Sequence, residues 1–275
     1  MAAKHKTKVE ICWRRASTTY SVVKASRVVL VPTPDKTDMA ASKAQTIHDE
    51  LHRVTEERTR RDRDPELARK VRLLKAYQQL RFSKTHADLL NDPRYRGAAR
   101  FFLDHLYGPE DFSTRDDQFA RVVPAMVRLF PDEVVDTVGR LATLHAISER
   151  LDTLMGGHLS EQLNHNTYAA AWQATGHPEL RNQQIELSLQ IGASLDRLTR
   201  NPIIRHSLRM MRGPAKAAGL SELQRFLETG FEAFRDMRGA RHFLEGIKFK
   251  ESELVKLLNS AAPPFDSAEL EKKLP

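Results

Sequence analysis

The chain has 275 residues, 40% of them hydrophobic and 29% charged, with a formal net charge of +8. That is globular composition, with enough apolar material for a core. Cys12 is the lone cysteine, which excludes an internal disulfide framework and a multi-cysteine zinc site and suits a reducing cytoplasm. No run approaches the ~18 apolar residues of a membrane-spanning helix, so no membrane is expected.

The basic excess is uneven. Residues 1–38 carry eight Lys/Arg against three Asp/Glu, a net of +5; the rest of the chain carries 36 against 33. A nearly balanced bulk gives no strong field for phosphate backbones, so nucleic acid is an unlikely partner. Residues 1–38 show valine and Ser/Thr runs without helical period. Two readings stay open: a disordered basic extension, or a mis-assigned start with translation beginning at Met39.

From Met39 the chain reads as one all-α domain over 39–260, with a frayed tail over 261–275. A charged helix covers about 40–62, with Ile47, Leu51 and Val54 on one side. Asp64-Pro65 is an N-cap with proline in the first turn, opening a helix towards Leu90. Asp92-Pro93 repeats the signal. The helix that follows carries Ala98, Ala99, Phe101, Phe102, Leu103, Leu106 and Tyr107 nearly all round, the pattern of a centrally buried helix. Gly108-Pro109 stops it. Ser113, with Asp116 in the first turn, starts a helix that Pro124 should kink. Pro131-Asp132 opens a helix over about 132–156. Ser160 is expected to cap the next, which ends at Gly176. Over 178–200 the residues Ile185, Leu187, Leu189 and Ile191 alternate like a strand, but helix is preferred because a lone strand has no sheet to join. Asn201-Pro202 caps a further helix. Ser221 with Gln224 reads as a capping box before a long helical region that Gly239 bends or breaks. About eight helices in an irregular, orthogonal bundle are expected.

FFLDHLY at 101–107, the following GPEDFSTRD, SERLD at 148–152, RNQQIELSLQIGASLD at 181–196 and FLETGFEAFRDMRGARHFL at 226–244 together resemble an uncharacterised bacterial family named for its FFLEELY motif. The resemblance covers roughly residues 60–258. Asp104-His105 departs from the motif's two glutamates. It implies one helical domain and no chemistry.

Four constellations could carry chemistry. His48 and His52 stand at i and i+4 in HDELH, but the position after the first histidine is Asp49 where a zincin helix needs glutamate; no metal is assigned. His145, Ser148 and Asp152 cluster beside the apolar face of their helix. They could be a general base oriented by a carboxylate, or a hydrogen-bonded network fixing helix register, which is the plainer reading. His165, Tyr168 and Trp172 share a face that could line a pocket for a planar cofactor such as haem; a packed helix face explains them as well. Arg205, Arg209, Arg212 and Lys216 recur at helical spacing and could bind an anion, or form a solvated basic face. No catalytic motif is recognisable, and no cofactor is called for. The leading expectation is a soluble, non-enzymatic module binding a protein partner or itself. The alternatives are a small-molecule or haem pocket between helices, and weak anion or nucleic-acid binding through the arginine face.

Overall fold

Asp64 and Asn201 do what their sequence contexts require. In the computed structural model, which describes residues 36–105, 110, 112–260 and 266–275, Asp64 accepts from the Leu67 amide and Asn201 from the Ile203 amide, each with proline at the first helical turn. These caps satisfy amides that an α-helix leaves unpaired. Thirteen helices are found among the described residues, and no strand: α1 Lys36–Asp62, α2 Pro65–Thr85, α3 Ala87–Asn91, α4 Arg96–His105, α5 Ser113–Leu129, α6 Asp132–His158, α7 His165–Thr175, α8 Pro178–Leu198, α9 Pro202–Met210, α10 Arg212–Ala217, α11 Ser221–Asp236, α12 Arg241–Ser260 and α13 Ser267–Lys273. They belong to one compact unit, Asp35–Pro275.

The all-helical expectation holds, and residues 185–191 lie inside α8. The count of about eight is too low because breaks are frequent. The helix expected to run to Leu90 splits at His86, whose ring is fully buried. Gly239, at φ +120°, separates α11 from α12, a conformation open to glycine without steric cost. Two expected caps are replaced. Asn164, not Ser160, caps α7 in a capping box with Thr167. Gln224 does not reach back to cap α11; its amide donates to Leu208 O and Glu228. The expected frayed tail contains α13. Leu270 and Leu274 are buried against α2, and Lys84 donates to the carbonyls of Glu271 and Leu274. Residues 1–35 lie outside the described residues, as do Leu106, Tyr107, Gly108 and Pro109 of the aromatic corner.

Helix α6 is the axis of the fold, packing against α1, α2, α7 and α8. Three apolar clusters make up the core, two of them with residues of α6. One joins Leu74, Tyr77, Met155, Tyr168, Trp172, Leu254 and Leu258. A second joins Phe82, Phe101, Phe102, Phe234, Met237 and Phe243. The third joins Ile47, Leu51, Val123, Met126, Val135 and Ala142. Gly230 lets α11 close on α4: a Cβ there would stand 2.7 Å from Phe101 Cζ and 3.1 Å from its Cε2. A buried phenyl ring can yield only by moving the aromatic cluster around it. Gly230→Ala is therefore expected to cost about 1–3 kcal/mol, measured by urea unfolding. An unchanged midpoint would show that α4 and α11 separate freely.

Candidate functional site: a charged chamber between the cores

The three apolar clusters do not close on one another. Where they meet lies a cavity of about 190 Å³. Phe82, Phe102, Phe119, Leu141, Trp172 and Phe226 provide an apolar wall. Charged side chains from α2, α5, α6 and α8 line the same cavity, with Arg115 over the Phe226 ring and Arg181 over the Trp172 ring.

Each helix presents its polar groups at helical spacing. On α6, His145, Ser148, Glu149 and Asp152 fall at i, i+3, i+4 and i+7 and form one stripe on an otherwise apolar face. On α8, Arg181, Gln184 and Ser188 do the same, and on α2 so do Lys75, Gln78 and Arg81. All of these line the chamber.

Asp116 is the hub. One carboxylate oxygen accepts from Arg58 Nη2 at 2.7 Å and from His145 Nε2 at 2.8 Å. The other accepts from Arg115 Nε at 3.2 Å and Nη2 at 3.1 Å. Arg115 is held in turn by the His105 carbonyl, 3.0 Å from Nη1, and its guanidinium lies over the rings of Phe112 and Phe226 at 4.3 and 4.7 Å. Burial works against ionisation of Asp116. The hydrogen bond and charge of His145, then the charges of Arg115 and Arg58, outweigh it and hold the carboxyl well below the usual range.

Glu149 is the second hub. It pairs with Arg61, accepts from Lys75 Nζ at 2.7 Å, and lies 4.0 Å from Arg58 Nη2. Burial again raises its pKa, but Lys75, Arg61 and His145 bring it down to about 2. Asp152 behaves oppositely. Burial pushes it up; Lys75, 4.0 Å away, opposes this, and the charge of Glu149 adds to it. Gln78 Nε2 donates to it at 3.1 Å. Arg58, Arg61, Lys75 and Arg115 thus share two firmly ionised carboxylates. Farther along the wall, Glu251 joins Arg81 and accepts from His86 Nε2 at 2.7 Å. Burial raises Glu251, and Arg81 with His86 lowers it to about 2.

His145, Ser148 and Asp152 do line one chamber, but they do not act on one another. The carboxylate beside His145 is Asp116. Ser148 Oγ donates to the Leu144 carbonyl and accepts from Gln184 Nε2, both at 2.8 Å, so its hydroxyl is occupied. Tyr168 and Trp172 also line the chamber, with Arg181 4.1 Å over the Trp172 ring. His165 sits apart at the start of α7, 3.6 Å from Glu271. The arginine face is divided: Arg205 and Arg209 lie on α9, Arg212 and Lys216 on α10, and Arg212 pairs with Glu228 at 2.6 Å. His52 is exposed and stands 3.4 Å from Glu56. Among the described residues no group of three His, Cys, Asp or Glu side chains could hold a metal, and no helix is long and apolar enough to cross a membrane.

Fold and site together define an all-helical protein built around an internal charged chamber. The chain belongs to the family of the domain of unknown function DUF8198, whose model matches residues 57–264. That span includes every charged side chain named above as lining the chamber, and Arg58 and Arg61 behind it. No curated protein and no solved structure matches the chain.

Proposed function

We propose that this protein binds a compact organic anion in the chamber, with the charged group on the Lys75–Arg115 side and the apolar body against Phe102, Phe226 and Trp172. The observation that carries this reading is a cavity lined by four largely buried carboxylates, Asp116, Glu149, Asp152 and Glu251, and by Lys75, Arg81, Arg115 and Arg181, with Arg58 and Arg61 behind the wall bringing the cations to six. Removing a charge from water costs several kcal/mol per ion unless another charge compensates it. Arg58, Arg61, Lys75 and Arg115 converge on Asp116 and Glu149, with Asp152 4.0 Å from Lys75, and a ligand anion adds counter-charge to that cluster. This is the pocket alternative read from the sequence, with a compact anion in place of haem, because His165 stands outside the chamber. The interaction-module reading rests on exposed apolar residues such as Ile203 and Met210 on α9, 72% and 65% exposed; they form a short strip, and the chamber is the more developed feature. We place the binding in a bacterial cytoplasm, on the lone cysteine and the FFLEELY resemblance.

Benzoate tests the reading against its neutral isostere, benzyl alcohol. At ten times its dissociation constant a ligand adds ~1.4 kcal/mol to stability, so benzoate is expected to raise the melting temperature by about 3 °C, while benzyl alcohol leaves it within error. Ser188→Phe, which fills the chamber from α8, is expected to abolish the rise. Equal shifts from both compounds, or a shift that survives Ser188→Phe, would contradict the proposal.

A further inference from the structure

Buried hydroxyls and carboxylates ordinarily have hydrogen-bond partners, so those that lack one beside a cavity point to the polar groups of a ligand. Two such groups line the chamber. Tyr168 on α7 is 1% exposed. Its ring lies 4.8 Å from that of Tyr77 and 6.3 Å from that of Trp172. Both neighbours have their polar atoms occupied: Tyr77 donates to the Pro275 carbonyl at 3.1 Å, and Trp172 Nε1 to Asn259 at 2.8 Å. The Tyr168 hydroxyl makes no hydrogen bond to any described residue. Asp152 on α6 is 8% exposed. Its Oδ1 accepts from Gln78, but Oδ2 accepts no hydrogen bond from any described residue. Lys75 Nζ stands 4.0 Å from Oδ2, beyond hydrogen-bond reach, and is committed to Glu149 at 2.7 Å.

The two groups complement a single partner. Burial pushes the Tyr168 hydroxyl's pKa up; Arg81 and Arg181 oppose this, and the charges of Asp152 and Glu251 add to it. The hydroxyl therefore keeps its hydrogen and can donate it, while Asp152 Oδ2 has lone pairs that can accept. A ligand hydroxyl answers both, accepting from Tyr168 and donating to Asp152. A second carboxylate could not donate, and it would stand against the charges of Asp152 and Glu251. An ammonium could not accept from Tyr168. The position in the ligand follows from α6. Arg115 and Asp116 stand beside residue 145, and Asp152 is seven residues further on, about two turns or ~10 Å along the helix. A ligand with its carboxylate at Arg115 meets Asp152 only from the opposite end of its apolar body.

We propose that the chamber selects hydroxylated carboxylates, with Tyr168 and Asp152 as the specificity-determining residues that hold a hydroxyl at the end opposite the carboxylate. This rests on the anion-binding reading above, and the experiment separates the two.

Binding of benzoate, 4-fluorobenzoate, 4-hydroxybenzoate and 4-methylphenol is measured by titration calorimetry at neutral pH. Fluorine is close to a hydroxyl in size but has no hydrogen to donate. The wild type is expected to bind 4-hydroxybenzoate at least about tenfold more tightly than benzoate or 4-fluorobenzoate. In Tyr168→Phe, which deletes only the unpartnered hydroxyl, that preference is expected to disappear. Asp152→Asn is expected to reduce it, because Gln78 retains the side-chain carbonyl and leaves an amide donor where Oδ2 stood. Equal binding of the three carboxylates by the wild type, or a preference that survives both substitutions, overturns the hydroxyl assignment and leaves anion binding standing. If 4-methylphenol binds as tightly as 4-hydroxybenzoate, the anion reading falls, and with it the selection of carboxylates. Absence of binding by all four compounds overturns both. The wild-type comparison decides the matter alone if a variant fails to fold.

Discussion

Glu149→Ala is expected to lower the unfolding free energy by about 3–5 kcal/mol, the usual cost of stripping one partner from a buried ion pair. The reason lies in what remains. Arg61 and Lys75 both converge on Glu149, and their side chains are only 10% and 18% exposed. Arg61 also donates to Thr153 Oγ1 at 2.9 Å, which holds the guanidinium in place after its counter-charge is gone. Adding Arg61→Met to Glu149→Leu is expected to recover the part of the loss due to the stranded guanidinium but not the part due to Lys75, which still loses its 2.7 Å partner. Urea unfolding of the two variants decides the point. A loss under ~1 kcal/mol in Glu149→Ala would mean that water reaches the pair freely, and that the wall is less enclosed than the burial of Glu149 indicates.

The same carboxylates set the acid limit of the fold. Glu149 and Glu251 are each brought down from 4.5 to about 2 in the folded chain. A carboxyl whose folded pKa is depressed contributes stability that is fully present above its unfolded pKa and disappears as pH falls through the folded value. Each shift corresponds to about 3 kcal/mol at neutral pH. Stability is therefore expected to be flat above about pH 5 and to fall steeply between roughly pH 4.5 and 2. Asp152 contributes with the opposite sign. Its folded pKa is raised, so its ionisation at neutral pH opposes folding, and that penalty is relieved as pH falls. Asp152→Asn is accordingly expected to be neutral or slightly stabilising at pH 7, while Glu251→Gln is destabilising. Chemical denaturation at a series of pH values measures both. A profile without a fall below pH 4.5 would contradict the burial and pairing assigned to Glu149 and Glu251.

Much of the fold was legible because local signals were strong and agreed with one another. Asp64-Pro65 and Asn201-Pro202 identify helix starts through chemistry confined to a few residues. The crowded aromatics of α4 point to a buried position, and Phe101 and Phe102 are buried. Ser160 and Gln224 mislead because capping is a competition: Asn164 is nearer the true start of α7, and Gln224 has a better use bridging to Leu208. The tail reads as frayed because the partners of Leu270 and Leu274, such as Tyr77, lie almost two hundred residues away in sequence.

The site was half legible for the same reason. His145, Ser148 and Asp152 mark a polar stripe on an apolar helix, which is a property of one segment. Glu149 belongs to the same stripe. The stripe's true partners are Arg58 on α1, Lys75 on α2, Asp116 on α5 and Gln184 on α8, and periodicity within one helix says nothing about which helices face each other. Asp116 illustrates the limit: its first-turn position on α5 suits the helix dipole and explains it locally, yet its carboxylate is committed to Arg58, Arg115 and His145. The available signal was the recurrence of polar and charged residues three or four apart on three separate helices, at 145/148/149/152, 181/184/188 and 75/78/81. One buried polar stripe is a packing detail, whereas three of them require one another.

The central claim is that the chamber binds a compact organic anion, and 19F NMR of 4-fluorobenzoate tests it most directly. On adding protein the resonance is expected to broaden and shift. Excess benzoate should restore it, and the Ser188→Phe protein should leave it sharp throughout. A sharp, unshifted line with the wild-type protein, or equal broadening with Ser188→Phe, would contradict the account.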